Sequence, residues 1–224
     1  MYLSRIRFNT SSGAINILAD TLRSGGYGSH QLLWQLFTDD AYRSFLFRED
    51  QILDGPLKGT PQYLVLSRTP PRDKNGVFLL ETKPFAPRLA AGQRLGFSLR
   101  ANPTVFSHGK RHDVLMHAKK QLPDRENVGL DEKAKVMEEA AINWLCNAMR
   151  TTSWGISIDV PPVILSQRQN QTIKTNSGQN ISFTSVDYEG VLSVTDPERL
   201  ITTIENGVGK ARAFGCGLLL LRRL

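Results

Sequence analysis

His30 lies just after the run SGGYG, whose Tyr27 precedes it by three residues, so in a helical turn both side chains lie on one face. A neutral imidazole beside a phenol can exchange protons near neutral pH, a form of acid–base help worth about 10²- to 10⁴-fold in rate. The same spacing equally suits a surface histidine beside a tyrosine at a core edge. His108, His112 and His117 are a second concentration of titratable groups. A zinc pair at i and i+4 needs continuous helix, which Gly109 and the strand-like run DVLM oppose, and no cysteine or acidic cluster completes a shell. No metal or other cofactor is therefore expected, and a metalloenzyme would require those three histidines to converge. Solvated histidines on a basic loop, near phosphate, are the preferred reading.

Cations recur in three loops: Lys110 and Arg111 beside the histidines, Arg168 and Lys174 about a polar turn, and Lys210 and Arg212 near the end. Each alone suits a solvated charge, and together they suit a nucleic-acid backbone. The last pair lies in GVGKARAFGCG, which packs four glycines into residues 207–217. It is not a Walker loop, since Ile204 and Ala211 occupy the positions needing Gly and Ser or Thr. It is not a dinucleotide fingerprint, since Arg212 stands where the third glycine belongs. Gly207 and Gly209 would let backbone amides approach phosphate closely while Lys210 adds a point charge. A helix cap followed by a crowded turn would need the same glycines, and both uses are compatible.

These residues must be positioned by a chain of 224 residues, enough for one large domain or two small ones without a disulfide or metal staple. The net charge of +7 and pI near 9.6 suit a polyanionic partner without establishing one. Cys146 in a helical pattern and Cys216 beside a strand suit a reduced, cytoplasmic setting. No secretory signal is expected, and the apolar run Leu218–Leu221 is far too short for a membrane span.

YLSRIRFN alternates as a strand. A helix is expected over Ala14–Leu22, broken at Gly25–Gly26, with a second starting near Tyr27 and carrying Leu32, Leu33, Leu36 and Phe37 on one stripe. SFLFRED, PQYLVLS and GVFLLETKP read as strands, and residues 88–93 as a boundary. RLGFSLRANP opens a second set, followed by the basic loop and the strand-like DVLM. A long helix from Asp131 turns Met137, Ala141, Trp144, Leu145 and Ala148 to a core. WGISIDVPPVILSQ and ISFTSVDYEGVLSV are expected strands about a turn at Asn176, Ser177 and Gly178. Asp196–Pro197 caps a helix ended by Gly207, and the run from Leu218 is the last strand. Strand, helix, strand, strand, helix, strand describes the second half, and a shortened version fits the first. The expected class is α+β, two tandem ferredoxin-like (βαββαβ) domains at residues 1–90 and 91–224, whose sheets suit RNA.

With VLSVTDPERL ahead of GVGKARAFGCGLL, the chain resembles the CasE family of CRISPR RNA endoribonucleases, within the RAMP superfamily whose hallmark is a terminal glycine-rich loop. MYLSRIRF, YGSHQLLWQLF, FLFRED, KPFAPRLAAGQRLGFSLRANP and GKRHDV extend the likeness over the whole length. The resemblance implies metal-independent cleavage of CRISPR repeat hairpin RNA to mature crRNA. In that chemistry a 2′-OH attacks in line, leaving a 2′,3′-cyclic phosphate and a 5′-OH, and the product is retained within Cascade beside its other subunits. It further implies that His30 is the general acid or base at the start of a first-domain helix, with Tyr27 its positioning or relay partner. Lys110, Arg111, Lys210 and Arg212, with Gly207 and Gly209, would contact RNA, and the hairpin carrying Arg168 and Lys174 would read the stem. A noncatalytic RNA-binding subunit of the same superfamily is the main alternative, and it has no need of a Tyr–His pair.

Overall fold

The computed structural model describes the backbone of residues 1–38, 45–123, 127–174 and 180–224 and, within these, all side chains except those of residues 12, 22–27, 167–174 and 180–181. The chain divides into two compact units. One comprises Met1–Pro87, Thr172–Ile181 and Ala211–Leu218, and the other Arg88–Gln171, Ser182–Lys210 and Leu219–Leu224.

In the first unit β1 (Tyr2–Phe8) leads into α1 (Ser12–Trp34), then β2 (Phe45–Gln51), β3 (Pro61–Ser67) and β4 (Phe78–Pro84). The sheet order is β2-β3-β1-β4, with every neighbouring pair antiparallel. Strand alternation turns Ile6, Phe8, Phe47, Tyr63 and Val65 to one face, where they share a core with Ala14, Leu32 and Leu33 of α1. On the other face Arg5 and Arg7 both pair with the Glu81 carboxylate. No helix intervenes between β3 and β4. The link is held by Arg72 N–H on the Leu36 carbonyl (2.9 Å) and by Asp73 accepting from Phe78 N (2.7 Å).

The expected break at Gly25–Gly26 does not occur, because α1 runs unbroken for 23 residues. Glycine inside a helix costs roughly 0.5–1 kcal/mol against alanine, less than is gained by burying the apolar stripes on both sides of the pair. The start is fixed by Ser11, whose hydroxyl accepts from Ala14 N. His30 consequently lies near the C-terminal end of one long helix, not in the first turn of a second.

The second unit opens with β5 (Arg94–Ala101), then the hairpin β6 (Thr104–Ser107) and β7 (Lys110–Asp113), and α2 (Val114–Gln121). There follow α3 (Leu130–Leu145), α4 (Ala148–Trp154), β8 (Ile156–Ser157), β9 (Val163–Lys174), β10 (Asn180–Val194), α5 (Pro197–Asn206) and β11 (Leu219–Arg223). The sheet order is β11-β5-β10-β8, with β9 also paired to β10. Leu99 of β5, Tyr188 and Leu192 of β10, Ala141 and Leu145 of α3 and Leu200 and Ile204 of α5 are all buried. The buried Tyr188 hydroxyl donates to the Ala141 carbonyl (3.1 Å), and burial pushes its phenol above the ordinary range.

Three local expectations change here. The basic loop is a β-hairpin, because His108 and Gly109 both adopt positive φ (50° and 73°) and close a two-residue turn. DVLM is not a strand: Asp113 caps a helix by accepting from Met116 N (2.9 Å). The WGISIDV segment begins as the end of α4, where Asn147 caps the start and left-handed Gly155 stops it, and only Ile156–Ser157 is strand. Local capping overrides the β-branched character of these runs. Ala148 therefore belongs to α4 and is exposed, not the last core position of α3. The turn at Asn176, Ser177 and Gly178 lies outside the described residues. Asp196 caps α5 through Glu198 N and Arg199 N (both 3.1 Å), and Gly207 ends it. No helix among the described residues is long and apolar enough to cross a membrane.

Candidate active site and nucleic-acid interface

His30 is half-buried on α1, with its Nε2 shielded from solvent. Its ring packs against Trp34 (centroids 5.8 Å apart), Phe45 (6.1 Å) and Phe47 (6.4 Å). Trp34 follows His30 by one helical turn, while Phe45 and Phe47 alternate inward from β2. Tyr27 is one turn before His30 on the same helix, and its side chain lies outside the described residues.

Next to His30, Ser29 is buried and donates its hydroxyl proton to Glu49 (2.6 Å) on β2. Since a serine hydroxyl has one proton, the 3.1 Å contact between Ser29 Oγ and the Tyr63 hydroxyl runs the other way, from phenol to serine. Glu49 and Tyr63 are cross-strand partners, so their side chains share the face that α1 covers. Burial, and then the Glu49 carboxylate, push the Tyr63 phenol well above its ordinary range and hold it as a donor. The chain Tyr63, Ser29, Glu49 ties the turn beside His30 to two strands. Nothing in the residue spacing announces it, because strand register alone brings the three together.

The glycine-rich tail divides between the units after Lys210. In the second unit Gly207 ends α5 with φ 73°, and Gly209, also at φ 73°, fits where an added Cβ would lie 3.5 Å from Trp144 and 3.6 Å from the Asn102 carbonyl. The cap and the crowded turn are both real. Exposed Lys210 forms an isolated antiparallel bridge with Asn102. In the first unit the 3-10 turn Arg212–Phe214 packs against α1 and β2, and half-buried Arg212 stands on it. At Gly215 an added Cβ would lie 3.4 Å from Phe47 and 3.8 Å from Glu49 N. The tail therefore shares Phe47 with His30 and Glu49 with Ser29.

Lys110 and Arg111 are exposed on β7. Arg111 lines a groove of about 380 Å³ with Asn102, Thr104, Asp113, Ser182 and Phe183 among others. Asn102 thus joins two of the expected cations, pairing through its backbone with Lys210 and lining the groove beside Arg111. Arg168 and Lys174 fall on β9, and their side chains lie outside the described residues. His112 and His117 rings stand 5.4 Å apart, His112 Nε2 donating to the Ser107 carbonyl (3.2 Å) and His117 Nε2 accepting from Gln121 (2.9 Å). Among the described residues no group of three or more His, Cys, Asp or Glu is placed to hold a metal ion.

A family model described as CRISPR associated protein matches residues 1–223. The chain is 30% identical over 233 residues to the CRISPR system Cascade subunit CasE of Escherichia coli (strain K12), spanning the whole of both. The chain belongs to the CRISPR-associated CasE family. A second relative, the CRISPR-associated endoribonuclease Cse3 of Thermus thermophilus, is also 30% identical, over 71% of this CasE-family chain and 72% of its own. Among solved structures, the CRISPR endoribonuclease Cse3 bound to 19 nt RNA matches at TM-score 0.71 and 26% identity, covering 99% of this chain and all of that one. The mixed α/β fold with antiparallel sheets is common to both.

Proposed function

We propose that this CasE-family chain is an endoribonuclease that cleaves CRISPR repeat hairpin RNA, keeps the product crRNA and works as a Cascade subunit in the cytoplasm. The observation that carries the reading is the full-length likeness to a Cascade subunit and an RNA-bound endoribonuclease, joined to a half-buried histidine that shares Phe47 with a glycine-rich tail. The same reading assigns tandem ferredoxin-like domains at residues 1–90 and 91–224. Both sheets support it: the first sets its fourth, first, third and second strands side by side, and the second sets β11, β5, β10 and β8 in the corresponding succession with β9 added on β10, the first unit lacking its second helix.

The chemistry proposed needs no metal. A ribose 2′-OH attacks the adjacent phosphorus, its oxygen forming the new P–O bond while the bond to the 5′-oxygen breaks. The 2′-OH proton leaves to a base and the departing 5′-oxygen gains a proton, giving a 2′,3′-cyclic phosphate and a 5′-OH. His30 performs one of these transfers and Tyr27 positions or relays. The aromatic rings around His30 exclude water from one side of the imidazole and fix its plane. Lys110, Arg111, Arg168, Lys174, Lys210 and Arg212 supply positive charge along the RNA backbone, and Gly207 and Gly209 open the tail to it.

The test is cleavage of repeat hairpin RNA in excess EDTA by wild type and His30→Ala, with binding measured in parallel. Cutting survives the chelator in wild type, falls about 10²- to 10⁴-fold in the variant, and affinity stays nearly constant. A fully active variant overturns the assignment of His30, whereas a wild type that binds the hairpin without cutting it returns the chain to the noncatalytic RNA-binding alternative.

A further inference from the structure

We infer that the β6–β7 hairpin and the groove beside it form a subsite for an unpaired RNA nucleotide, with Phe106 as the stacking platform and Arg111 as the backbone contact. This deepens the RNA-processing reading and rests on it. Phe106 is 71% exposed, an unusual place for an aromatic ring on a polar ribbon. It pairs across the hairpin with Arg111, so ring and guanidinium stand on one face, followed on that face by Thr104 opposite Asp113. Thr104, Asp113 and Arg111 all line the 380 Å³ groove, whose walls add Met116 and Phe183 as apolar surface and Ser182 and Asn102 as polar groups. An aromatic face, a planar cation and a small pocket of mixed polarity are the elements that recognise a splayed base and its phosphate.

One further feature favours RNA over a protein partner. The two-residue turn at His108 and Gly109, both at positive φ, fixes the register that sets Phe106 opposite Arg111, and the charge on that ribbon is mostly positive. The hairpin itself carries Lys110 and Arg111 against one carboxylate, Asp113, which is engaged in capping α2. The balance attracts a polyanion. His108 sits in the turn itself, its Nδ1 hydrogen-bonded to Ser107 Oγ (2.9 Å), and His112 follows on β7.

The test uses fluorescein-labelled rA10, a blunt RNA duplex and a repeat hairpin with and without its single-stranded flank, read by anisotropy at fixed salt. Phe106→Ala weakens binding to rA10 and to the flanked hairpin about tenfold, leaves the duplex unchanged, and is rescued by Phe106→Tyr. Arg111→Gln weakens every RNA and flattens the salt dependence. Equal binding of rA10 by wild type and Phe106→Ala overturns the subsite, as does a wild type that binds the hairpin but no unpaired RNA. Loss of assembly with recombinant Cascade subunits in Phe106→Ala, with RNA binding intact, overturns it in favour of a protein-docking hairpin. None of these outcomes touches the His30 cleavage assay, so the nuclease reading stands or falls separately.

Discussion

The four-stranded first sheet and the β11-β5-β10-β8 path of the five-stranded second sheet run in corresponding order, yet they bury polar groups on opposite sides. In the first unit the buried polar chain of Tyr63, Ser29 and Glu49 lies on the face that α1 covers, beside His30. In the second, alternation along β5 sends Leu99 into the helix-covered core and Arg100 to the reverse face. There Arg100 meets its cross-strand partner Asp187 through two hydrogen bonds, Nε to Oδ1 (2.6 Å) and Nη2 to Oδ2 (2.9 Å), and Ser166 donates to the same carboxylate (2.7 Å). One arrangement is a neutral donor chain ending on a carboxylate next to a titratable ring. The other is a bidentate ion pair locked by a third group. The difference teaches that proton chemistry suits the first unit, whereas the polar node of the second holds two central strands in register.

The comparison breaks most visibly at Asp187. Replacing it by alanine strands a guanidinium that is 6% exposed, and urea denaturation should register a loss of about 3–5 kcal/mol. A loss below about 1 kcal/mol would mean that water reaches this face and that the two nodes are not different in kind. Ser29→Ala is the intermediate case. It leaves the Tyr63 hydroxyl buried without its acceptor and costs about 1–3 kcal/mol, and it lowers kcat for repeat RNA more than it raises KM, because the turn that aims His30 loses its tether. A change confined to thermal stability would reduce the Ser29 chain to a purely structural role, like that of Arg100 and Asp187.

The smallest effect belongs to the exposed face of the first sheet. Hydrogen bonding from Arg5, together with the charges of Arg5 and Arg7, holds the Glu81 carboxyl below the usual carboxylate range. A folded pKa below the unfolded one gives stability that is present at neutral pH and disappears as pH falls through the folded value. The melting temperature of wild type therefore exceeds that of Glu81→Gln only slightly at pH 7 in low salt. The gap closes on acidification and at about 1 M salt, where screening reaches about 3 Å. A gap that persists in acid and salt would show the site to be less solvated than its exposure indicates.

Much of the fold was legible in the residues. Alternation located the strand at Tyr2–Phe8, short apolar runs bounded by glycine and proline located those at Phe45–Gln51, Pro61–Ser67, Phe78–Pro84 and Arg94–Ala101, and Asp196–Pro197 with Gly207 bounded α5 closely. The misreadings share a cause: a local preference was outweighed by neighbours distant in sequence or by a cap. Gly25–Gly26 should interrupt a helix, but the core packing of α1 on both sides of the pair keeps it whole. Val114 and Leu115 favour strand, but the Asp113 cap commits them to helix. His30 was legible as a residue worth attention; its aromatic surround and the Ser29 tether were not, because they depend on how β2 and β3 pair.

The sequence alone determined the family, the number and kind of most elements, the surplus of positive charge and the glycines a crowded tail requires, since these follow from composition and short-range pattern. Tertiary structure decided that the tail turn packs on the strand beside His30, that Phe106 and Arg111 share a face at a groove, and that Tyr63, Ser29 and Glu49 form one chain. The tail contact and the Tyr63–Ser29–Glu49 chain join residues tens of positions apart, and the groove beside Phe106 and Arg111 takes Ser182 and Phe183 from about seventy positions away. Such relations are set by strand register and by burial against other elements, and no local spacing encodes them.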